Sequence, residues 1–162
     1  MNAWSEFTDD EYAEIWDRFY AEFKFKPDYF ERFQPAIDEP RPSVTFDLSG
    51  DLSEELLSEI DELLLESFRT LTPKGQRMIW LDWQHTCYRF DPDATDGSRP
   101  FHWYPDGDYY VFLADDFSFG TFGHPWQASL CVFGSSLLNR VEPVLRGKLP
   151  VLRESPGDDV AG

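Results

Sequence analysis

YYVFLADDFSFGTFGHPWQASLCVF, residues 109–133, contains two segments that are apolar at successive positions, Tyr109–Ala114 and Ser129–Phe133. In an extended chain successive side chains point to opposite faces, so both faces of each segment are apolar. Strands of this kind lie in the middle of a sheet and are covered on both sides. Residues 115–126, between the two segments, are rich in glycine and aromatic side chains and predict a compact loop.

Two further segments have strand character. Ser43–Leu48 (SVTFDL) alternates and contains β-branched residues, which predicts a strand. Arg77–Phe90 (RMIWLDWQHTCYRF) fits either one long strand or a pair of strands. On one long strand a common face would hold Ile79, Leu81, Trp83, His85 and Cys87.

Two amphipathic helices are predicted in the N-terminal half. Thr8 and Glu11 have the spacing of a capping box, and apolar residues recur at helical spacing to Phe23, which predicts a helix over 8–24. Ser53 is the predicted N-cap of a second helix, which has an apolar stripe and an acidic outer face. Ser135 or Ser136 is expected to cap a short C-terminal helix that Pro143 strains or splits.

Together these elements predict an α+β fold. A central, mostly antiparallel sheet would be packed by the two acidic helices and the short C-terminal helix, because the helices are too few for regular βαβ alternation. The predicted organisation is a single domain over residues 1–152, followed by a flexible tail over 153–162.

Negative charge is concentrated in the first half of the chain. Of 31 acidic and 14 basic residues, 19 acidic and 5 basic residues lie in 1–66. A field of this sign repels nucleic acid and anionic membranes and attracts basic proteins. A basic protein is therefore the expected partner, and direct binding to nucleic acid or membrane is not expected. The predicted partner-binding residues lie on the outer faces of the two helices: Glu14, Asp17, Glu55, Glu59, Asp61, Glu62 and Glu66.

Composition indicates a folded cytoplasmic protein. Aromatic residues make up 17% of the chain, whereas disordered acidic chains are poor in them. The N-terminus lacks the pattern of a signal peptide, and no run of 18 apolar residues is present. Cys87 and Cys131 lie in apolar runs and are expected to be buried free thiols.

The sequence contains no established catalytic or metal-binding motif. His85, His102 and His124 are widely spaced and lack HExxH, HxH or CxxC patterns. Asp82 and His85 stand three residues apart, and on one strand they would point to opposite faces. No metal site, cofactor or catalytic residue is therefore predicted, and His85 is expected to be a hydrogen-bonded core residue.

The segments 39–48, 81–92 and 103–134 resemble a bacterial domain of unknown function, the one numbered 2716. The resemblance covers about half of the chain, in its aromatic and glycine positions above all. It implies a small cytoplasmic bacterial α+β domain and transfers no catalytic residue. The combination of aromatics and acidic helices is also similar, more loosely, to bacterial toxin-immunity proteins.

These observations favour a non-catalytic acidic binding protein, most specifically an immunity protein that sequesters a basic toxin such as a nuclease. The alternative is a small enzyme or a ligand-binding regulatory module. Its pocket would be lined by the aromatic and histidine side chains Trp83, His85, Trp103, Tyr109, His124 and Trp126.

Overall fold

Eight strands and three helices form the part of the chain that the computed structural model describes, residues 3–27, 35–95 and 99–157. In chain order they are β1 (Trp4–Glu6), α1 (Asp9–Phe23), β2 (Ser43–Asp47), α2 (Glu54–Leu71), β3 (Met78–Asp82), β4 (Tyr88–Phe90), β5 (Tyr110–Leu113), β6 (Gly120–His124), β7 (Ser129–Phe133), α3 (Ser135–Leu145) and β8 (Val151–Ser155).

The strands make one sheet in the order β1-β4-β3-β5-β6-β7-β2-β8, and every neighbouring pair is antiparallel. Strands β5 and β7 are central, as their two apolar faces predicted. The α+β fold with an antiparallel sheet is confirmed.

Each face of the sheet is covered by its own helices. Ile79 and Leu81 of β3 pack in one apolar cluster with α1, whereas Met78 and Trp80 pack in the other with α2 and α3. Side chains of β5 and β7 alternate between the two clusters in the same way. Consequently α1 lies on one side of the sheet, and α2 and α3 lie on the opposite side.

The loop predicted over 115–126 is wrong in its second half, because Gly120–His124 forms strand β6 between β5 and β7. Glycine usually weakens a strand and often marks a close backbone approach. That is the case here, since a Cβ atom on Gly120 would overlap the carbonyl oxygen of Phe112 in β5. The glycine that suggested a loop is what allows β6 to fit.

The segment Arg77–Phe90 forms a pair of strands and not one long strand. β3 ends at Asp82, the chain turns through residues 83–87, and β4 returns antiparallel from Tyr88. Gln84 adopts the left-handed conformation, with φ of 65°, which reverses the direction of the chain. The common face predicted for Trp83, His85 and Cys87 on one strand is therefore lost.

Two of the three helices begin where the sequence predicted. Both hydrogen bonds of the Thr8–Glu11 capping box are present, and the Ser53 side chain caps α2. Neither Ser135 nor Ser136 caps α3, because both lie inside the helix and Gly134 is the N-cap residue, with φ of 93°. Pro143 lies in the last turn and does not split the helix. No helix in the described ranges is long and apolar enough to cross a membrane.

The predicted flexible tail begins too early. Residues 153–155 form the last part of β8, which pairs with β2, and Arg153 donates two hydrogen bonds to the Glu39 carboxylate at 2.6 and 2.7 Å. Residues 158–162 of the predicted tail lie outside the described residues.

Both cysteines are free and buried, as predicted. Burial raises the pKa of the Cys87 thiol to about 11 and that of the Cys131 thiol to about 12. Thiols with such pKa values are poor nucleophiles at neutral pH, because the thiolate is the reactive form.

Because Gly120 lies so close to the backbone of Phe112, adding one methyl group at Gly120 should lower stability substantially. Gly120→Ala should lower the free energy of unfolding by about 2–3 kcal/mol, because overpacking against fixed backbone forces neighbouring strands apart. Gly50→Ala is the matched control, since nothing lies within 4 Å of its added Cβ, and should change stability by less than about 0.5 kcal/mol. Urea unfolding measures both variants. Equal stabilities of the two variants would contradict the packing described for β6.

Candidate functional site

The outer side of α2 carries six carboxylates in thirteen residues, with no Lys or Arg among them. Five are exposed and Asp61 is half-buried. We call this set the acidic face: Glu54, Glu55, Glu59, Asp61, Glu62 and Glu66. Beneath it Ile60 and Phe68 are buried, while Leu56 and Leu63 are only half-buried.

Three members of the acidic face are neutralised by neighbouring cations. Lys148, just after α3, lies 2.7 Å from Glu59, Arg99 pairs with Asp61, and Arg69 lies 3.5 Å from Glu66. Glu59 is therefore not free to pair with a partner in the way an isolated carboxylate would be, because α3 packs beside α2 and places Lys148 next to it. Within the described residues, Glu54, Glu55 and Glu62 make no ion pair.

The carboxylates of α1 do not extend this surface. Glu14 and Asp17 are exposed, but they lie on α1, on the opposite side of the sheet from α2. The predicted partner-binding residues therefore form two separate surfaces. Helical periodicity identified the outer face of each helix but gave no information on which side of the sheet each helix packs.

A groove of about 890 Å³ runs along the acidic face towards α3. It combines carboxylates with exposed aliphatic surface, since Val144 of α3 is 40% exposed and Leu63 is half-buried. Its lining includes Glu59, Glu62, Glu66, Leu63, Val144 and Lys148. Such a groove matches a protein segment that bears both cationic and apolar side chains.

The aromatic residues predicted to line a pocket lie mostly in the core beside α1. Tyr109 is fully buried, and its ring lies 5.8 Å from Trp83, 5.0 Å from His124 and 5.2 Å from Trp126, measured between centroids. The centre of this group is filled by the Tyr109 side chain itself.

Trp103 does not belong to this group. It is buried in the cluster on the α2 side of the sheet, and its indole N–H donates to the carbonyl of Leu57 at 3.2 Å. The six predicted pocket residues therefore do not share one cavity.

His85 instead contacts two carboxylates at one end of the neighbouring strands β3 and β5. Its Nδ1 atom lies 3.1 Å from Oδ1 of Asp82 and 2.7 Å from Oδ2 of Asp108. Asp82 ends β3, and Asp108 precedes β5, the strand that pairs with β3. The two carboxylates are 16% and 13% exposed, whereas the imidazole is 64% exposed. We call Asp82, His85 and Asp108 the carboxylate–histidine cluster.

The expectation that Asp82 and His85 point to opposite faces is wrong. It required both residues to lie on one strand, but the left-handed Gln84 folds the chain back between them. The His85 backbone N–H then donates to the Asp82 carbonyl at 3.1 Å. His85 is consequently an exposed turn residue and not a core histidine.

Burial and hydrogen bonds within the cluster shift the pKa values of its members. Burial, together with a hydrogen bond to the Asp108 carboxyl group, raises the pKa of Asp82 to about 7. The hydrogen bond to Asp82 raises the pKa of His85 above its ordinary value. Near neutral pH the cluster in the folded protein therefore binds protons more tightly than the same groups would in an unfolded chain.

Residues 6–138 match the family described as "Protein of unknown function (DUF2716)". The chain belongs to this family. It is also 32% identical over 155 residues to the "Uncharacterized protein YxiI" of Bacillus subtilis (strain 168), a match that covers 88% of this chain and 94% of that protein. No solved structure matches the chain.

The resemblance inferred from the sequence is thereby confirmed for DUF2716, whereas the likeness to toxin-immunity proteins stays a prediction. The range that matches DUF2716 contains the acidic face, the carboxylate–histidine cluster and all strands except β1 and β8 in full. Both candidate sites therefore lie within the DUF2716 part of the chain.

The carboxylate–histidine cluster should make the free energy of unfolding fall as pH rises. Asp82 titrates near 3.8 when unfolded and near 7 when folded, so between these values the folded state binds more protons. The raised pKa of His85 acts in the same direction, because its stabilisation is lost as pH rises through the folded-state value. Asp82→Asn should flatten the decline in unfolding free energy between about pH 4 and pH 7.

Urea unfolding across this pH range, in buffer with a chelator, measures the effect. Asp106→Asn, which removes an exposed carboxylate nearby, controls for the loss of one negative charge. Asp106→Asn should keep the wild-type dependence of the unfolding free energy on pH. If Asp82→Asn kept it as well, the described environment of Asp82 would be contradicted.

Proposed function

We propose that this protein is a non-catalytic binding protein that uses the acidic face of α2 to hold a basic protein. The observation that carries the proposal is the group of carboxylates left without an ion pair in the described residues, Glu54, Glu55 and Glu62. Glu54 and Glu55 lie in the first turn of α2, where carboxylates stabilise a helix through its dipole. Glu62 lies in the middle of α2, four residues before Glu66, and like charges at this spacing weaken a helix slightly. The stability of α2 therefore explains Glu54 and Glu55 but not Glu62.

The neighbouring groove supports the same proposal. Exposed carboxylates alone also serve solubility, but Glu62 lines a depression with aliphatic walls. A protein interface combines an apolar centre with a polar rim. The half-buried Leu63 and exposed Val144 supply apolar surface, and the unpaired Glu62 supplies charge.

The partner that fits best is a cationic bacterial toxin, which makes this protein its immunity protein. A nuclease is the clearest case, because its substrate groove presents Lys and Arg side chains for phosphates. Carboxylates spaced along α2 would occupy those cations and block the substrate. The two buried free thiols support a location in the reducing cytoplasm, which is where such a toxin must be neutralised.

The alternative of an enzyme or small-ligand module at the aromatic residues receives less support. A ligand pocket is usually a preformed concavity. Tyr109 fills the centre of its aromatic group, and Trp103 lies across the sheet.

Charge on the acidic face should control the rate of association with the partner. Changing Glu54, Glu55 and Glu62 to Gln should slow complex formation about three- to tenfold at low salt and remove much of its salt dependence. Dissociation should change less, because exposed charges act mainly on encounter. The measurement is association kinetics at two ionic strengths with a candidate toxin, to be sought among the basic products of adjacent genes because toxin and immunity genes are expected side by side.

The matched control removes the same number of charges from the other side of the sheet. Asp10→Asn, Glu14→Gln and Asp17→Asn on α1 include one residue from the first helical turn, whereas the α2 variant includes two. This triple variant should associate within about twofold of the wild-type rate at moderate salt, where charges farther apart than a Debye length are largely screened. Equal effects of the two triple variants would refute a specific role of α2.

A further inference from the structure

We infer that Asp82, His85 and Asp108 form a binding site for a divalent transition-metal ion of the Zn²⁺ class. The three residues offer one imidazole nitrogen and two carboxylate oxygens, which all lie within 4.8 Å of one another. This inference concerns the end of β3 and the start of β5, and it does not depend on the function proposed for α2.

The distances within the cluster fit a shared ion. Bonds from Zn²⁺ to nitrogen or oxygen are about 2.0–2.2 Å long, which places neighbouring ligand atoms of a tetrahedral site about 3.3–3.6 Å apart. His85 Nδ1 stands 3.1 and 2.7 Å from the two carboxylate oxygens. Outward shifts of less than about 1 Å would therefore admit an ion in place of a proton between them. His85 can make such a shift because it is an exposed residue on a turn.

The charges around the cluster call for a cation. Among the described residues, neither Asp82 nor Asp108 has a Lys or Arg ion-pair partner, although both are largely removed from water. Two adjacent carboxylates repel each other, and His85 alone supplies at most one positive charge to them. A divalent ion would neutralise both.

The supporting hydrogen bonds already orient the cluster as outer-shell contacts do in metal sites. The backbone N–H of Tyr109 donates to Oδ1 of Asp108 at 2.8 Å, which leaves Oδ2 directed to His85. Asp82 is fixed at the end of β3 by its pairing with Tyr110 in β5. One ligand therefore ends a strand, and a second is held by a backbone hydrogen bond two residues before the next strand.

The cluster is open to solvent on one side. His85 borders a hollow of about 570 Å³ whose lining includes Glu6, Asp9 and Tyr12. Three protein ligands with an accessible remaining position are the arrangement of zinc sites that also bind water or a further ligand. The Glu6 and Asp9 carboxylates at the rim would attract a cation to this hollow.

The combination of ligands selects the class of ion. Imidazole favours Zn²⁺ and related transition metals, whereas Mg²⁺ and Ca²⁺ prefer oxygen alone. We therefore expect Zn²⁺ to bind more tightly than Mg²⁺ or Ca²⁺.

Calorimetric titration of the chelator-treated full chain with Zn²⁺ tests the site. We expect one ion per chain, an increase of Tm on binding, and at least tenfold weaker binding in both His85→Ala and Asp82→Asn. His102→Ala is the control, because His102 is an exposed histidine outside the cluster. It should bind Zn²⁺ like the wild type.

The Tm of each metal-free variant shows whether it folds. Metal-free His85→Ala should still unfold in one cooperative transition because the side chain is exposed, so weaker binding in this variant reports the loss of a ligand and not unfolding. Absence of stoichiometric Zn²⁺ binding to the wild type would overturn the inference. Wild-type affinity in His85→Ala, or an equal loss in His102→Ala, would overturn it as well.

Discussion

Burial of the central sheet on both faces is the constraint from which the other features of this structure follow. Strands β3, β5 and β7 carry apolar side chains towards both sides, and exposing either side to water would cost the stabilisation that apolar burial supplies. Helices must therefore cover both faces. The placement of α1 opposite α2 and α3 is the solution that this chain adopts.

This arrangement divides the negative charge of the first 66 residues between two surfaces. It also places α3 beside α2, where Lys148 reaches Glu59 and an apolar residue of α3, Val144, remains exposed. The unpaired part of the acidic face is therefore smaller than the set of carboxylates that the sequence indicated. One of its unpaired carboxylates, Glu62, lines a groove with aliphatic walls, whereas the carboxylates of α1 lie on the far side of the sheet.

The sequence predicted the elements whose signals are local. The capping box of α1, the Ser53 cap of α2 and the apolar runs of β5 and β7 each depend on neighbouring residues, and each lies close to its predicted position. Strand β6 depends on close packing against β5, and β8 depends on β2, which is distant in sequence. The glycines of β6 resemble a loop until Phe112 is placed beside them, and β8 is a strand because β2 offers it an edge.

The candidate sites show the same limit. Helical spacing alone identified the outer carboxylates of α2, but Lys148 and Arg99 reach them only through the fold. The carboxylate–histidine cluster depends on the turn at Gln84 and on Asp108 from another strand. The stretch from Asp82 to Cys87 contained one usable signal, since polar residues 84–86 interrupt the apolar alternation and mark the position of a turn.

On the proposed function, a basic partner docks on the acidic face of α2 and leaves α1 uncovered. Carbodiimide footprinting of carboxylates, read by mass spectrometry with and without the partner, distinguishes the two helices. Both helices expose carboxylates without ion pairs among the described residues, so the reactivity of each set shows whether that surface is covered. We expect the complex to protect Glu54, Glu55 and Glu62 and to leave Asp10, Glu14 and Asp17 fully reactive. Protection of the α1 carboxylates with α2 still reactive would contradict the proposed function.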